Sequence, residues 1–423
     1  MRILISTAHR NLVGGVEKYL QALVPALRDR GHELGLLHEY QSTANHETID
    51  APEGFARTWW LAESDAGTAL RSIAEWHPDM VYHHGFDRTD SMPAETALLG
   101  SYPALLYVHN YDRTCGTGQK CFMFPQPGVC ERKIGPMCLV LHYPRRCGGL
   151  HPGVMWHRYR RHAALHALLP HYQAVLVASS HMQRELAWSG VDHNHLHLVP
   201  LPATGLVLES APAARRDFTG KILFVGRLTN LKGADYLIRA IPAAQQKLGR
   251  NLTVAIAGDG PELQNLRSIA DQLGTAVEFC GWVDTQEKLN LMRNVDLLAV
   301  PSLWPEPFGL VGLEAGGVGL PAVGFASGGI PDWLLAGETG ELAPGDPPTV
   351  AGLSDAIVRA LASTEHYSQL SLGAWNLARQ FTLVRHVERL EALLAEISSG
   401  PGARSPQRGL RPESMPDKDA VPQ

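Results

Sequence analysis

The sequence predicts an α/β protein made of two doubly wound domains in tandem, and three observations support this. The chain has 423 residues, which is too long for a single core and fits two domains of about 200 residues each. Short apolar strands alternate with amphipathic helices along both halves, as in parallel sheets that helices cover on both faces. Most of these strands end in polar or glycine residues, where open sheets of this kind bind their ligands.

The first forty residues read as strand, loop, helix and strand. The segment "RILIS" is a short buried strand, and "TAHRNLVGG" with its paired glycines is the loop after it. Apolar residues recur at helical spacing from Val16 to Leu27, and Gly31 ends that helix. The segment "ELGLLHE" is the next strand, so the chain opens with a βαβ unit.

Three later segments of the first half repeat the pattern. "DMVYHH", "PALLYVHN" and "AVLVASS" begin apolar and turn polar at their carboxyl ends. His83, His84, His109, Ser179 and Ser180 stand at these ends, where an open sheet binds its ligand. The alternatives are that the histidines are satisfied polar strand ends and that the serines cap the following helix.

The domain limits follow from changes in composition. Residues 204–220 are dominated by Pro, Ala and Ser without periodicity, and they read as a linker. Residues 401–423 have almost no large apolar residues and are expected to be disordered. The remaining limits are a first domain over 1–203 with a cysteine-rich insertion at 111–150, a second domain over 221–383, and a C-terminal helix over 384–400 that is expected to pack back on the first domain.

Composition and charge narrow the class of protein. Hydrophobic residues make up 45% of the chain and charged residues 19%, as in ordinary soluble globular proteins. A net charge of -5 gives no sign of a nucleic-acid partner. No apolar run reaches the roughly 18 residues of a membrane span, and "MRILIS" is too short for the core of a signal peptide. We therefore expect a cytoplasmic location.

The strands of the second half each lead into a polar or glycine-rich loop. "KILFVG" is followed by Arg227 and Lys232 before a helix, and two cations beside helix-terminal N–H groups suit a diphosphate. "LTVAIA" leads into Gly258-Asp259-Gly260-Pro261, a turn that lets a ligand approach the backbone. "DLLAVPS" leads into "LWPEPFGLVGLEAGG", which holds Glu306 and Glu314 eight positions apart, and "PAVGFA" leads into the glycine turn of "SGGIPDWL".

The order and spacing of these blocks resemble the retaining GT-B glycosyltransferases of family 4, the glycosyl transferases group 1. The E-x7-E pair around Pro-Phe-Gly and the upstream Arg/Lys pair carry most of the resemblance, while the first domain shares it loosely through "GGVE" and His109. The resemblance implies the GT-B fold, in which two Rossmann-like domains face each other across a cleft. It also implies transfer of a sugar from a nucleotide-sugar donor to a hydroxyl of a glycan, lipid-linked or small-molecule acceptor, with retained anomeric configuration.

The resemblance also implies a role for each site residue. Arg227 and Lys232 would stabilise the charge on the departing diphosphate, and Glu306 would contact the donor sugar at its cation-like carbon. Glu314 would hold the ribose hydroxyls, as an acid does in other nucleotide sites. His109 would point at the reacting sugar, and the leaving phosphate would accept the acceptor's proton, so no dedicated general base is named. Further contacts to the donor would come from Gly14, Gly15, Gly258, Phe308, Gly309 and Leu310.

The chain departs from the family pattern at two places. Asp332 follows the "GG-x-P" turn where the family usually has Glu, which shortens the side chain by one methylene. The segment after His109 reads "NYD", whereas the family often has an acid directly after the histidine. No D-x-D metal-binding triplet stands out in either domain, so we expect catalysis without a divalent cation or other cofactor.

Two other classes of function are weighed against the transferase. A Rossmann-type dinucleotide-dependent oxidoreductase needs G-x-G-x-x-G after its first strand, which "GGVE" does not match, and only Glu39 closes the second strand as a ribose-binding acid. A catalytically silent glycosyltransferase-like binding protein would be expected to lose one of Glu306, Arg227 or Lys232, yet all three are present.

The helix "WHRYRRHAALHALL" carries Arg158, Arg160 and Arg161. A basic amphipathic face would suit a membrane-bound acceptor and a location peripheral to the inner face of the membrane. The alternative is an ordinary solvated helix face.

Five of the six cysteines are clustered in the insertion, and the sixth, Cys280, stands alone at a strand end as an expected core residue. A loop this long inside a compact domain is expected to be functional or cross-linked, and this one would shape the acceptor pocket or a partner surface. The cluster permits a structural metal, plain or redox-labile thiols, or disulfides, although its spacings lack the short C-x2-4-C clip and a reducing cytoplasm disfavours disulfides. Its members are Cys115, Cys121, Cys130, Cys138 and Cys147.

Overall fold

The computed structural model of the protein describes residues 1–40, 48–49, 54–61, 66–213 and 217–399. The segment 401–423, for which the sequence predicts disorder, lies outside these described residues. Within the described ranges, the structure contains no helix that is both long enough and apolar enough to cross a membrane.

The first domain is built on a parallel sheet of seven strands, with a separate two-stranded sheet in the insertion. The strands in chain order are β1 (Arg2–His9), β2 (Glu33–Tyr40), β3 (Arg57–Trp60), β4 (Met80–His83), β5 (Ala104–Val108), β6 (Cys121–Phe122), β7 (Gly128–Val129), β8 (Ala174–Val177) and β9 (Leu196–Leu198). The large sheet has the order β3-β2-β1-β4-β5-β8-β9. Because its strands are parallel, the carboxyl ends of β1, β4, β5 and β8 lie side by side along one edge.

The helices of the first domain cover both faces of this sheet. They are α1 (Gly15–Asp29), α2 (Ala66–Trp76), α3 (Met92–Ser101), α4 (Met137–Arg145), α5 (Pro152–Ala167) and α6 (Ser180–Ser189). In α1, Tyr19, Leu20, Leu23 and Leu27 are fully buried at the helical spacing that the sequence shows. Each buried leucine of this kind stabilises the fold by about 1.5–3 kcal/mol relative to an exposed one.

The insertion contains the β6–β7 pair and α4 and leads directly into α5, and an ion pair and a hydrogen bond fix it to α6. Lys120, which is 1% exposed, pairs with Glu185 of α6 at 2.6 Å. The indole N–H of Trp188, also in α6, donates to the Glu131 carbonyl at 3.1 Å. Because removal of one partner leaves a buried charge uncompensated, the Lys120–Glu185 pair holds the insertion in a defined place.

The second domain has a parallel sheet of six strands, in which helices again alternate with strands. Its strands are β10 (Lys221–Val225), β11 (Thr253–Ala257), β12 (Val277–Gly281), β13 (Leu297–Val300), β14 (Ala322–Phe325) and β15 (Gly340–Ala343), in the order β12-β11-β10-β13-β14-β15. Its helices are α7 (Ala234–Leu248), α8 (Leu263–Leu273), α9 (Thr285–Arg293), α10 (Leu310–Gly317), α11 (Val350–Ala360) and α12 (Thr364–Ala378). The strand ends of β10, β13 and β14 are therefore neighbours at one edge.

The last helix, α13 (Leu383–Ser399), packs on α1 of the first domain. Leu390 and Leu394 are buried in one hydrophobic cluster with apolar residues of α1. At the end of that contact, Glu391 forms ion pairs with Arg30 and, at 3.1 Å, with His32. The chain thus ends its described part against the domain in which it begins.

Candidate active site

The carboxyl edges of the two sheets face each other, and the domains touch directly between them. Ser179, just after β8, donates its hydroxyl to the Pro307 carbonyl at 2.5 Å. Asp332, in the turn after β14, accepts hydrogen bonds from the backbone N–H and the hydroxyl of Ser180, each at 2.6 Å. The Asp332 carboxylate therefore stabilises the N-terminus of α6 from the opposite domain. Strand ends of both domains line the cleft beside these contacts.

Glu306 and Lys232 form an ion pair in this cleft. Lys232 Nζ lies 2.7 Å from Glu306 Oε1, and the Ser302 hydroxyl donates to the same oxygen at 2.5 Å. Burial raises the pKa of Glu306, but the Lys232 ammonium and these hydrogen bonds outweigh burial and hold that pKa below its usual value. Glu306, only 6% exposed, is therefore an ionised carboxylate with a matched positive charge.

The topology explains why these two distant residues meet. Lys232 closes the 3₁₀ turn Asn230–Lys232 that follows β10, while Glu306 lies in the loop after β13. β10 and β13 are neighbouring parallel strands, so their carboxyl ends bring the two side chains together. The Lys232 ammonium also lies 5.2 Å from the centre of the Trp304 ring, a cation–π contact that further fixes its position.

Arg227 belongs to the same loop but not to this ion pair. It is exposed, and within the described ranges no hydrogen bond or ion pair joins its guanidinium to another residue. The backbone around it is fixed, because Gly226 N–H donates to the Ala257 carbonyl at 3.0 Å and Leu228 N–H to the Asp259 carbonyl at 2.8 Å. A rigid loop thus presents a cation whose charge is available to an anionic ligand.

Glu314 lies in α10 and pairs with a lysine that sequence reasoning missed. Lys288 Nζ of α9 is 2.6 Å from Glu314 Oε2, and the Thr204 hydroxyl is 3.5 Å from the other carboxylate oxygen. Glu314 is 8% exposed, so its charge also needs a partner. No motif surrounds Lys288, and its importance comes from the packing of α9 against the edge of the sheet, which a linear pattern does not reveal.

Gly14 and Gly15 lie on exposed backbone at the start of α1. The backbone N–H of Gly14 donates to Glu17 Oε2 at 2.8 Å, which satisfies one donor of the helix N-terminus. A Cβ on Gly15 would meet no atom within 4 Å. The protein itself leaves room for a side chain there, so a need for glycine at this position arises only from a ligand that lies against it.

His109 and His84 form a pair of imidazoles at the ends of β5 and β4. His109 Nε2 lies 2.9 Å from His84 Nδ1, and the His109 ring stacks on Tyr107 with centroids 4.7 Å apart. Burial, helped by the positive field of His386, lowers the pKa of His109 to about 3. Burial also lowers the pKa of His84 well below its ordinary value. Both rings are therefore neutral at physiological pH, and His109 offers hydrogen bonds rather than charge.

Two protein families together match most of the chain. The Glycosyltransferase Family 4 model matches residues 13–203, and the Glycosyl transferases group 1 model matches residues 211–374. The chain belongs to the group 1 glycosyltransferases. The family resemblance predicted from the E-x7-E and Arg/Lys motifs is therefore confirmed.

Curated relatives match parts of this chain. A D-inositol 3-phosphate glycosyltransferase of Corynebacterium jeikeium is 32% identical over 208 residues, which cover 47% of either chain. The glycogen synthase of Mycobacterium tuberculosis is 39% identical over 150 residues, which cover 34% of this chain and 35% of that relative. The chain thus spans less than half the length of these curated relatives.

Solved structures share the fold over nearly the whole chain. HepE of Anabaena, solved in complex with UDP-glucose, superimposes with a TM-score of 0.67 at 18% identity, covering 94% of this chain and 100% of HepE. WaaG, a glycosyltransferase involved in lipopolysaccharide biosynthesis, superimposes with a TM-score of 0.64 at 16% identity, covering the same shares of the two chains. The predicted α/β fold of GT-B type, with two Rossmann-like domains, is confirmed.

Two glycines at strand ends allow the backbones of neighbouring loops to approach each other closely. Gly258 has a φ of 151°, and a Cβ there would lie 1.9 Å from the Gly226 carbonyl oxygen. A Cβ on Gly328, whose φ is 64°, would lie 2.3 Å from the Glu306 carbonyl oxygen, to which Gly329 N–H donates at 2.6 Å. Glycine is required here because neighbouring loops pack backbone to backbone, and the second contact positions Glu306.

Phe308, Gly309 and Leu310 form the entry to α10. Phe308 is buried, and its carbonyl accepts a hydrogen bond from the Trp333 indole at 2.6 Å. Gly309 precedes the helix with a φ of 88°, and Leu310 packs against the main hydrophobic cluster. The side chains of Phe308 and Leu310 therefore serve packing, and the first N–H groups of α10 are ones that the helix itself cannot bond.

A polar cavity of the first domain opens beside His109. It measures about 150 Å³ and adjoins a wider cavity of about 720 Å³, with which it shares Asp87, Asp112 and Arg161. Arg161 Nη1 lies 3.2 Å from Asp112 Oδ2. His9 Nε2 lies 3.5 Å from Asp87 Oδ2, and this contact raises the pKa of His9. Carboxylates and cations that alternate around such a cavity suit a hydroxyl-rich ligand.

Arg161 was predicted as part of a basic helix face, and that prediction is wrong. Its side chain is buried, and besides Asp112 it donates to the Phe86 carbonyl. Arg158 and Arg160 are exposed, as predicted. The helical period alone cannot distinguish a buried arginine from an exposed one when a carboxylate such as Asp112 approaches from another loop.

The other polar strand ends follow the structural alternatives. His83 is 2% exposed and hydrogen-bonds the Ser6 hydroxyl at 2.8 Å, with Glu95 at 3.5 Å on its other side. Ser179 accepts the Met182 N–H at 3.1 Å and so caps α6. These residues build the edge of the sheet and the contact between domains.

The five cysteines of the insertion line one cavity of about 420 Å³, to which the second domain contributes Asp346. All five are free, and among the described residues no group of three or more His, Cys, Asp or Glu side chains is placed to hold a metal. Burial raises the pKa of Cys121 to about 12 and of Cys147 to about 11, so both thiols are protonated at neutral pH. This geometry does not support the structural metal predicted at Cys115, Cys121, Cys130, Cys138 and Cys147. Cys280 is partly buried and packs against the main hydrophobic cluster.

Proposed function

We propose that the protein transfers a sugar from a nucleotide-sugar donor to a hydroxyl group of an acceptor, with retention of anomeric configuration. The observation that carries the proposal is the Lys232–Glu306 ion pair, 2.7 Å long, at the strand ends that line the cleft. A buried carboxylate paired with a partly exposed lysine, beside the exposed cation of Arg227, matches what sugar transfer requires. Membership of a glycosyltransferase family supports the same reaction.

The charges fit the departure of a nucleoside diphosphate. As the glycosidic bond breaks, negative charge grows on the diphosphate, and Arg227 and Lys232 would stabilise it. The N–H groups at the start of α10 would add to this stabilisation. The sugar carbon becomes cation-like at the same time, and the ionised Glu306 would interact favourably with it. Glu314 would bind the ribose hydroxyls, with Lys288 orienting its carboxylate.

Retention follows in this proposal from attack on the same face of the sugar that the diphosphate leaves, with no dedicated general base. His109 is neutral and paired with His84, so we assign it a hydrogen bond to the donor sugar. The acceptor would attack the face from which the diphosphate leaves, and the leaving phosphate oxygen would take the acceptor's proton. Atoms and charges balance in this step without a divalent cation or other cofactor.

The acceptor would bind in the polar cavity beside His109. Asp87, Asp112 and Arg161 line that cavity, and their mixed charges suit the hydroxyls of a glycan, a lipid-linked sugar or a small polyol. We place the reaction in the cytoplasm, where nucleotide sugars would be supplied to the open cleft. UDP-glucose is the first donor to test because HepE, with the same fold, was solved with it.

Proton NMR of donor cleavage tests this function directly, with water in the place of the unidentified acceptor. We expect slow release of glucose from UDP-, GDP- or ADP-glucose, with the α anomer formed first. Glu306→Gln should slow release about 10²–10³-fold, whereas Glu365→Gln, an exposed acid of α12, should not change it. First release of the β anomer would contradict retention.

The alternatives predict different outcomes. Donor binding without any cleavage, in the presence of varied sugar acceptors, would identify a catalytically silent binding protein. Binding of NAD(H) in preference to every nucleotide sugar would support the oxidoreductase, although "GGVE" lacks the dinucleotide fingerprint.

A further inference from the structure

Exposed apolar side chains are concentrated on the insertion. Of the seventeen large apolar residues that are exposed in the described part of the chain, seven lie between residues 124 and 156. Soluble proteins expose such residues singly as a rule, and a concentration marks an interaction surface. The seven, with their exposed fractions, are Phe124 (49%), Met137 (51%), Val140 (65%), Tyr143 (40%), Leu150 (77%), Val154 (49%) and Trp156 (50%).

The same segment carries a charge opposite to that of the whole protein. Residues 123–160 contain six Lys and Arg residues against a single acid, Glu131, whereas the chain as a whole has a net charge of -5. All six cations are exposed: Arg132, Lys133, Arg145, Arg146, Arg158 and Arg160. We call these exposed apolar and basic side chains of residues 124–160 the insertion face.

The fold presents this face outward on a firm support. The insertion is fixed to α6 by the Lys120–Glu185 pair, and α4 packs against α5. Buried polar residues point inward, as with His142, whose Nε2 bonds the Gly149 carbonyl at 2.7 Å. The apolar side chains of the face are therefore not the unfinished core of a loose loop.

We propose that the insertion face docks on the surface of an anionic lipid bilayer. Apolar side chains with a tryptophan and a tyrosine among them enter the boundary between headgroups and acyl chains, and surrounding cations attract anionic headgroups. The charge complementarity favours this occupant, because six exposed cations accompany the apolar side chains of the face while the chain as a whole is acidic. The cationic segment of an otherwise acidic protein would also orient it toward the membrane.

The position of the face gives docking a purpose. His157 and Arg158 of α5 line the wide cavity that adjoins the acceptor site, while Val154 and Trp156 of the same helix belong to the insertion face. A membrane in contact with the face would bring a lipid-linked acceptor to the mouth of that cavity. This last step rests on the proposed transferase function, whereas docking itself does not.

Flotation with vesicles tests docking on the full chain, without any sugar nucleotide. We expect the protein to float with vesicles of equimolar phosphatidylcholine and phosphatidylglycerol, to stay unbound with phosphatidylcholine alone, and to dissociate at high salt. Arg145→Glu/Arg146→Glu should weaken binding about tenfold or more, and Leu150→Asp severalfold. Arg71→Glu/Arg239→Glu and Leu273→Asp, matched changes at exposed residues outside the face, should bind as the wild type does.

Equal binding by the face variants and their controls would overturn the proposal, as would failure of the wild-type protein to bind anionic vesicles. Calorimetric donor binding by each variant separates the two proposals. Variants that lose vesicles and keep the donor support docking by this face. A wild-type protein that binds vesicles but no nucleotide sugar refutes the transferase while docking stands.

Discussion

The two walls of the cleft handle charge in different ways. On the wall of the second domain, two buried acids each meet a lysine, Glu306 with Lys232 and Glu314 with Lys288. On the wall of the first domain, neutral imidazoles of His84 and His109 lie beside a mixed polar cavity. Fixed charges suit a ligand that is itself permanently charged, such as a diphosphate. Neutral and mixed polar groups suit the uncharged hydroxyls of a sugar or polyol.

The two walls also differ in how far sequence motifs predict their residues. The charged wall, that of the second domain, is assembled mostly from loops that follow neighbouring parallel strands. Its predicted residues therefore appear in short blocks at strand ends, whereas Lys288 of α9 does not. The wall of the first domain, which we call the neutral wall after its uncharged imidazoles, is assembled from α1, α5 and several loops. Its polar residues are scattered along the sequence of that domain. The proposed donor site could therefore be predicted from sequence motifs, and the proposed acceptor site could not.

The largest effect is expected from breaking the ion pair of the charged wall. Lys232→Ala should lower the rate of donor cleavage about 10²–10³-fold, because a cation that faces the growing diphosphate charge is lost. The rate of glucose release, measured by NMR, checks this. Lys221→Ala, at an exposed lysine in β10, is the control. A loss of less than tenfold would remove Lys232 from the catalytic machinery.

Breaking the second pair should chiefly affect stability. Lys288→Ala leaves the Glu314 carboxylate buried without a cation, which is expected to cost about 3 kcal/mol of unfolding free energy. Urea denaturation measures it. Lys247→Ala, which removes the half-exposed pair with Asp355, should cost less than about 1 kcal/mol. Similar costs for the two variants would mean that Glu314 is better solvated than its 8% exposure suggests.

The neutral wall should make the protein sensitive to acid. Burial lowers the pKa of His109 to about 3 and of His386 to about 4, below the ordinary histidine value. Between that ordinary value, about 6.5, and the lowered values, the unfolded chain binds more protons than the folded chain. Stability is therefore complete above the ordinary pKa and falls as pH decreases through this window.

A histidine variant isolates this contribution. The unfolding free energy of His109→Asn, followed by urea denaturation from about pH 7 to about pH 4, should fall less steeply with acid, by up to about one proton per molecule. His193→Asn, at an exposed histidine, should keep the wild-type slope. An unchanged slope in His109→Asn would show that His109 titrates as an exposed histidine does.

The smallest effect is expected where the two walls touch. Asp332→Ala removes the carboxylate that accepts from the Ser180 N–H and hydroxyl, at an expected cost of about 1 kcal/mol, as for other helix caps. Thermal unfolding checks this. Asp332→Glu, the residue usual in the family, should keep most of the stability. An unchanged melting temperature in Asp332→Ala would mean that this contact between the domains contributes nothing to the stability of the fold.

Much of the fold and part of the site could be predicted from the sequence. Strand periodicity and the blocks around Arg227 and Glu306 predicted the two α/β domains and the charged wall, because both are local patterns. Lys288 could not be predicted, since it meets Glu314 only through tertiary packing. Arg161 was assigned to the surface because the helical period does not show that its partner, Asp112, approaches from another loop.

The cysteines and glycines show a further limit. Clustering in the sequence predicted that the five thiols of the insertion share a place, and they line one cavity. Whether thiols are arranged to bind a metal depends on geometry and burial, which spacing does not report. Gly258 was attributed to ligand contact, yet its lack of a side chain also admits the backbone of a neighbouring loop, as it does at Gly328.

Calorimetric titration of UDP-, GDP- and ADP-glucose into the wild type and Arg227→Ala tests directly whether Arg227 binds the diphosphate of a nucleotide sugar. Arg227 is exposed, so its removal should spare the fold, and Arg239→Ala at another exposed arginine is the control. We expect one nucleotide sugar to bind the wild type and the control equally and to bind Arg227→Ala at least about tenfold more weakly. Binding that is indifferent to Arg227, or no binding of any nucleotide sugar, would contradict it.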